Sequence, residues 1–558
     1  GEVGGVRVEV DGVEASAVVA ETRLLSDGSG GWFWRVVFAP RAASKVGGEA
    51  SVVTVRSNQG SVVLKDVLFG DVFLCSGQSN MQMGASALAK NDSKIAAVTR
   101  DQIRVMTLEG FPQHPQHAAS NSSMESLHAT EIQRPWAHAN SDSVLGPDRP
   151  WPKTYFSAVC LFFGIEVSER RNVPVGLVSA STAGATIEYF CDKETLQQCQ
   201  RAHPFQHHGV TLGPIGKEGG VIWSNMLVPL TLMPFRAFLF YQGEANGWDS
   251  AAYECTFPAM IKQWRREFGP SASQGALERA DIPTRHIPFL FVQIAPDKRT
   301  DKTLAKIRLA QLSAVKLPAV GCVPAYDLGD NKSPLGPIHP RWKREIGERL
   351  ERQSRRLVYH QAAPLIGLDA LPPMLESVAI FTGILSKAPV NPGGVYESEW
   401  VLSQASPTEG AAGEVSWVAN LTIGSFEMIR ASGTRGCEAC CTMSPLDLLL
   451  EDKEGHRQST AMMTVASGIG WYAAAAKVPP GFEAAGLANA YSDYPQCALW
   501  AGVGKMPMLP FRLERQAAAP AAGSVPLHWR RGVRGRSSSP GALRTSHPRE
   551  DGVLAEDV

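Results

Sequence analysis

The chain of 558 residues is too long for one ordinary domain, so two or three are expected. Its 44% hydrophobic content suits a globular protein with a substantial core. With 54 basic against 54 acidic residues there is no net field to attract nucleic acid or an anionic membrane, and no apolar run approaches the roughly 18 residues of a membrane span.

Residues 1–66 read as a small β-sandwich-like region. Val6-Arg-Val-Glu-Val10 alternates with period two, Ser51-Val-Val-Thr-Val55 is β-branched, and Trp32 to Phe38 reads as a buried strand. No chemistry-bearing pattern falls there.

A second unit, 67–357, opens with Asp71-Val-Phe-Leu-Cys-Ser-Gly-Gln-Ser-Asn-Met81. Val72 to Cys75 is an apolar run suited to a buried central strand, Gly77 supplies a tight turn, and Ser79 follows where a helix begins. A serine at the carboxyl end of such a strand lies in the crevice where open α/β sheets bind ligands. The same residue equally suits a helix cap. Residues 108–150, rich in His, Ser, Asn and Pro, read as a long surface loop with solvated histidines. Ser157 to Arg171 reads as an amphipathic helix.

Val173 to Val178 is the next strand, and the turn after it carries Gly184, whose backbone N–H can face the same crevice. Residues 192–220, with His207-His208, read as a solvated polar loop. Ala237 to Tyr241 then delivers Gln242-Gly-Glu-Ala-Asn246. Tyr253 to Phe268 is a helix with Phe257, Met260, Ile261 and Trp264 inward, Pro288 to Ile294 is a strand, and Leu304 to Val315 is a helix. Val320 to Asp330 is the last strand with its acidic end; Ile338-His-Pro-Arg341 and a helix from Arg344 to Arg356 follow. Strands alternating with helices imply an α/β unit, its parallel sheet covered on both faces.

Residues 358–515 lose that alternation and read as a second β-rich region, and 516–558 as a disordered tail that has too few large hydrophobes to fold. Ten cysteines are too sparse for a disulfide scaffold. Cys75 and Cys160 read as buried thiols, and one or two disulfides are favoured over zinc for the group Cys437, Cys440, Cys441 and Cys497. No metal and no cofactor are expected. Sequons at Asn91, Asn121, Asn331 and Asn420, and a first residue Gly1 that is not preceded by a leader, suggest a removed signal peptide or a fragment. The expected location is the secretory pathway, lysosomal or extracellular.

Taken together and in order, Gly77-Gln-Ser-Asn-Met81, Phe240-Tyr-Gln-Gly-Glu-Ala-Asn246 and Ile338-His-Pro-Arg341 resemble the SGNH hydrolases, and more narrowly the sialate O-acetylesterases, relatives of some acetylxylan esterases. The resemblance runs from about residue 5 to about residue 515 and implies a three-layer sandwich around a parallel sheet. It also implies a serine esterase that takes O-acetyl groups from sugars, sialic acids foremost, through an acyl-enzyme. Ser79 would be the nucleophile and His339 the general base, with the N–H groups of Ser79 and Gly184 and the Asn246 amide as oxyanion donors. His339 by itself equally suits a solvated loop.

The sequence departs from the family in two places. The block around Gly184 is typically Trp-Gly-Gly-Thr and is here Thr182-Ala-Gly-Ala185; an Asp is often three residues before the His, where this chain has Gly336. The orienter of His339 is therefore Asp330 or a backbone carbonyl, with Asp327 behind. Gln78, Gln242, Glu244 and Arg341 are expected about the substrate, Gln242 and Glu244 chiefly as supports of their loop, and Arg341 or Arg308 is the cation for a sialate carboxylate. The alternatives are an acetylxylan-type esterase and an impaired carbohydrate-binding protein.

Overall fold

The computed structural model describes residues 7–15, 17–24, 32–38, 41–57, 60–88, 95, 98–108, 132–146, 156–202, 220–269, 286–298, 302–361, 375–387, 400–403, 416–423, 429–433, 446–468, 471–477, 482–489, 495, 497–501 and 507–514. The sequons at Asn91 and Asn121, the His207-His208 pair, Cys437, Cys440 and Cys441, and the tail from Gln516 lie outside them. So do the side chains of the strand Trp32–Phe38, whose burial was expected.

Six antiparallel strands come first: β1 (Arg7–Val10), β2 (Val13–Glu14), β3 (Ala17–Leu24), β4 (Trp32–Phe38), β5 (Ser51–Ser57) and β6 (Gly60–Val67). They form a four-stranded sheet in the order β2-β1-β5-β6 and a separate β3-β4 pair. Val8, Val10 and Val53 form a small core of their own.

The central sheet has seven strands: β7 (Asp71–Gly77), β8 (Thr99–Leu108), β9 (Ile132–Asn140), β10 (Val175–Ser181), β11 (Ala237–Tyr241), β12 (Phe289–Gln293) and β13 (Val320–Pro324). Their order is β13-β12-β11-β7-β10-β8-β9, parallel throughout except for the edge strand β9. The chain starts at β7, builds to one side of it and then returns to build on the other. The carboxyl end of β7 is therefore the switch point at which such sheets bind ligands.

Among the described residues, six α-helices accompany the sheet: α1 (Ser79–Gln82), α2 (Ala158–Arg171), α3 (Lys193–Ala202), α4 (Ser250–Glu267), α5 (Thr303–Gln311) and α6 (Lys343–Leu357). Side-chain alternation assigns them to faces. Phe73 of β7 meets Phe163 of α2 edge-on at 4.9 Å, and α2 packs against α6. Phe238 and Phe240 of β11, whose register neighbours Leu74 and Ser76 alternate with Phe73, meet Trp264 of α4 at 5.5 and 5.8 Å. The result is a three-layer α/β/α unit with Phe257, Met260, Ile261 and Trp264 fully buried. After it the described residues form antiparallel β-structure, which includes a five-stranded and a four-stranded sheet. Tyr326, just beyond β13, donates to the Met508 carbonyl at 2.7 Å and fastens this region to the α/β unit.

Three expectations are corrected. Cys75 and Cys160 are not thiols but a disulfide: alternation along β7 turns Cys75 towards α2, and the Cα atoms are 6.0 Å apart. A second disulfide, Cys199–Cys255, joins α3 to α4. The segment 108–150 is not loop throughout, since it contains β9 and a helical turn, Ser141–Leu145. An edge strand that carries Pro135 and fully buries only Ala139 needs no alternating apolar pattern, which is why none is visible. The polar segment 192–220 begins with α3, whose buried side is only Thr195, Leu196 and Cys199, too narrow to stand out as a periodic stripe.

The disulfide Cys75–Cys160 closes a chain separation of 85 residues. Cys75→Ala/Cys160→Ala should lose about 4 kcal/mol of stability, read from the urea midpoint without reductant. An unchanged midpoint would show that the bond does not form.

Candidate active site

Three strands end at one level. Gly77 is in register with Ser181 of β10 on one side and Tyr241 of β11 on the other, so the three following loops leave the sheet side by side. Gly77 has φ +143°, and a Cβ there would lie 2.1 Å from the Tyr241 carbonyl oxygen. Only glycine lets the chain turn this close to its neighbour. Gln78 N–H then donates to the same carbonyl at 3.0 Å, and Ser79 starts α1.

Ser79 is buried, and its Oγ lies 2.9 Å from His339 Nε2. His339 Nδ1 lies 2.9 Å from the Leu335 carbonyl oxygen. A carbonyl can only accept, so Nδ1 carries the proton and Nε2 offers a lone pair to the serine hydroxyl. This is the arrangement of a nucleophile and its general base. Burial holds the imidazole below its ordinary value; the Leu335 carbonyl and the Asp297 charge act the other way, and the Lys343 charge lowers it further.

The carboxylates expected behind the imidazole are engaged elsewhere. Asp330 accepts from Arg341 Nε and Nη2 at 2.6 and 3.0 Å and from its main-chain N–H at 3.2 Å. Burial acts to raise the Asp330 carboxyl, but the hydrogen bonds from Arg341 prevail and hold it below the ordinary carboxylate range. Asp327 forms a buried two-pronged pair with Arg349 at 2.6 and 2.7 Å. Assigning Asp330 as orienter is therefore corrected: the Leu335 carbonyl holds Nδ1. The reason is local, because the turn Ser333–His339 folds back so that Leu335 lies beneath its own histidine. Ser333 Oγ donates to the His339 carbonyl at 2.6 Å, and His339 N–H donates to the Gly336 carbonyl at 3.0 Å.

The loops that carry the candidate oxyanion donors are tied to this centre. Thr182 N–H donates to the Gly77 carbonyl at 3.0 Å and Ala183 N–H to Gln82 Oε1 at 2.8 Å, which leads to an exposed Gly184 with φ +72°. Asn246 is buried, and its Oδ1 accepts from Ile187 N–H at 2.9 Å and Gln242 Nε2 at 2.7 Å. Its Nδ2 lies 3.2 and 3.1 Å from the two oxygens of the Glu188 carboxylate. A single N–H forked between the two oxygens would satisfy both distances.

Gln78, Gln242 and Glu244 hydrogen-bond to the neighbouring loops. Gln78 Oε1 accepts from Gly243 and Ala245 N–H at 3.3 and 3.1 Å, and Gln242 Nε2 also donates to the Ala185 carbonyl at 3.2 Å. Glu244 Oε1 accepts from Asn80 Nδ2 at 2.6 Å, and Arg341 is held by Asp330. Arg308, fully buried, donates to the Ile294 and Ala295 carbonyls at 2.9 and 3.2 Å. Arg341 keeps part of its side chain exposed beside Asp330, whereas Arg308 is enclosed.

Sequence reasoning missed Asn80, Glu188 and Lys343. Asn80 stood inside the quoted Gln-Ser-Asn motif, but no local pattern singled out Glu188 or Lys343. Among the described residues, one trio of acidic and histidine side chains is close enough to share an ion: Asp452, Glu454 and His456, in a mostly exposed turn far along the chain.

Asp330→Asn should keep kcat within about tenfold of wild type, whereas loss of a true triad carboxylate costs on the order of ten-thousandfold. A ten-thousandfold loss would return Asp330 to the role of orienter. Because the base must be neutral and its proton affinity is depressed, kcat/KM should rise with pH along a limb whose midpoint lies below the ordinary histidine value of 6.5. A midpoint above that value would contradict the environment described.

The description "Carbohydrate esterase, sialic acid-specific acetylesterase" belongs to a family whose profile matches residues 69–354, the α/β unit from β7 through most of α6. The chain is similar to the sialate O-acetylesterase of Homo sapiens, 32% identical over 342 residues, a match that spans 58% of this chain and 60% of the human protein. The Mus musculus sialate O-acetylesterase is 30% identical over 365 residues, with 58% and 63% covered. A solved structure of a carbohydrate acetylesterase from Xanthomonas citri shares the fold with a TM-score of 0.61 at 20% identity, covering 91% of this chain and 92% of that one.

Proposed function

Because the chain belongs to the carbohydrate esterase family of sialic acid-specific acetylesterases, we propose that it is a serine esterase that removes O-acetyl groups from sugars, sialic acids foremost. The observation that carries the reading is the 2.9 Å contact between Ser79 Oγ and His339 Nε2, the nitrogen opposite the one that meets the Leu335 carbonyl. Ser79 Oγ attacks the acetyl carbonyl while Nε2 takes its proton. The oxyanion is met by the N–H groups of Ser79 and Gly184 and the side-chain amide of Asn246. His339 returns the proton to the departing sugar hydroxyl, and water then cleaves the acetyl-serine with His339 again as base. The chain spans about 60% of the human relative it matches, so substrate preference is a separate question from the chemistry.

The disulfides Cys75–Cys160 and Cys199–Cys255 support an oxidising compartment, lysosomal or extracellular. Among the described residues no helix is long and apolar enough to cross a membrane. The partner is the O-acetylated sugar or glycoconjugate itself.

Wild type should hydrolyse p-nitrophenyl acetate, and Ser79→Ala and His339→Ala should each lower kcat by about a thousandfold or more. Comparing 9-O-acetylated sialic acid with acetylated xylan then ranks the substrates. A folded wild type with no turnover on any of the three sinks the esterase reading in favour of carbohydrate binding.

A further inference from the structure

Lys343 is fully buried at the first turn of α6, an end where the helix dipole disfavours a cation. Neither helix propensity nor the esterase chemistry calls for it. Its Nζ donates to Asn80 Oδ1 at 2.6 Å and stands 5.3 Å above the Tyr241 ring at the end of β11. The other end of the Asn80 side chain donates twice, to Glu244 Oε1 at 2.6 Å and to the Ile338 carbonyl at 2.9 Å. One amide thus joins the residue after Ser79, the loop after β11, the residue before His339 and the start of α6.

We propose that Lys343 is a positioning residue for the hydrolysis, fastening through Asn80 the turn that bears Ser79 to the loop that bears His339. Without Lys343 the Asn80 Oδ1 loses this donor, and the two bonds from its Nδ2 alone are left to hold the turn to the histidine loop. A misplacement of about 1 Å between a nucleophile and its base costs on the order of a hundredfold in rate.

Charge adds a second signature. Burial draws the Lys343 ammonium down to about 7, opposed by the charges of Glu244 and Asp330. The groups that face it are therefore Glu244 from the loop after β11, Asp330 from the loop after β13, and His339, whose protonated form its charge disfavours. Over the acid limb of the reaction Lys343 is mostly charged, so its removal should make the imidazole easier to protonate.

The inference rests on the esterase reading, and the test separates the two. Lys343→Met is compared with wild type for kcat and KM on p-nitrophenyl acetate. The His339 imidazole is titrated in both by proton NMR, its signal assigned with His339→Ala. The double variant Lys343→Met/Glu244→Gln removes the partner charge as well and guards against a folding defect. The expected result is a fall in kcat on the order of a hundredfold with KM within a fewfold of wild type, not recovered in the double variant, and an imidazole that titrates at higher pH in both. Wild-type kcat in Lys343→Met, full recovery in the double variant, or an unmoved titration overturns it. Absence of turnover in wild type defeats the esterase reading, while the titration still decides whether Lys343 acts on His339.

Discussion

The site depends on the level ending of three parallel strands, β10, β7 and β11. Hydrogen-bond register makes Gly77, Ser181 and Tyr241 neighbours, and the 2.1 Å that would separate a Gly77 Cβ from the Tyr241 carbonyl oxygen shows how closely they are packed. From that edge the chain throws out Ser79, Gly184 and Asn246 within adjoining loops. The rest of the α/β unit holds the edge rigid: aromatic side chains of β11 pack on α4, and a disulfide pins β7 to α2.

Above the sheet the control passes from apolar packing to buried polar groups. Asn80, Gln78, Gln242, Glu188, Glu244, Asp327 and Lys343 are all nearly inaccessible to solvent. A buried polar group without a partner is costly, so each of these side chains hydrogen-bonds a neighbour, and together these bonds admit few arrangements of the loops. The charges are matched in the same way, Asp330 with Arg341 and Asp327 with Arg349. Those pairs explain why carboxylates near the imidazole in sequence do not hold it, and why a peptide carbonyl does. A neutral orienter supplies less electrostatic support to an imidazolium than a carboxylate would, consistent with a histidine held on the basic, neutral side of its titration.

Reading the sequence located what depends on local pattern. Apolar runs such as Ala237 to Tyr241 and the helix of Phe257, Met260, Ile261 and Trp264 are legible because burial on both faces, or along one stripe, writes itself into residue order. The edge strand β9 and the narrow-faced helix α3 escaped because little of each is buried. The cysteine pair Cys75–Cys160 escaped because pairing across a separation of 85 residues leaves no local trace.

The sequence by itself determined the α/β alternation, the ordered motifs, and Ser79 and His339 as the pair to watch, since these follow from residue type, spacing and resemblance. Only the tertiary structure decided what each polar side chain touches. Ser79 and His339 are 260 residues apart, Asn80 and Lys343 263, and such partners are chosen by the meeting of strand ends and loops, not by neighbours in the chain. That is why Arg308 meets main-chain carbonyls and Arg341 meets Asp330, and why the Leu335 carbonyl, rather than Asp330, faces His339.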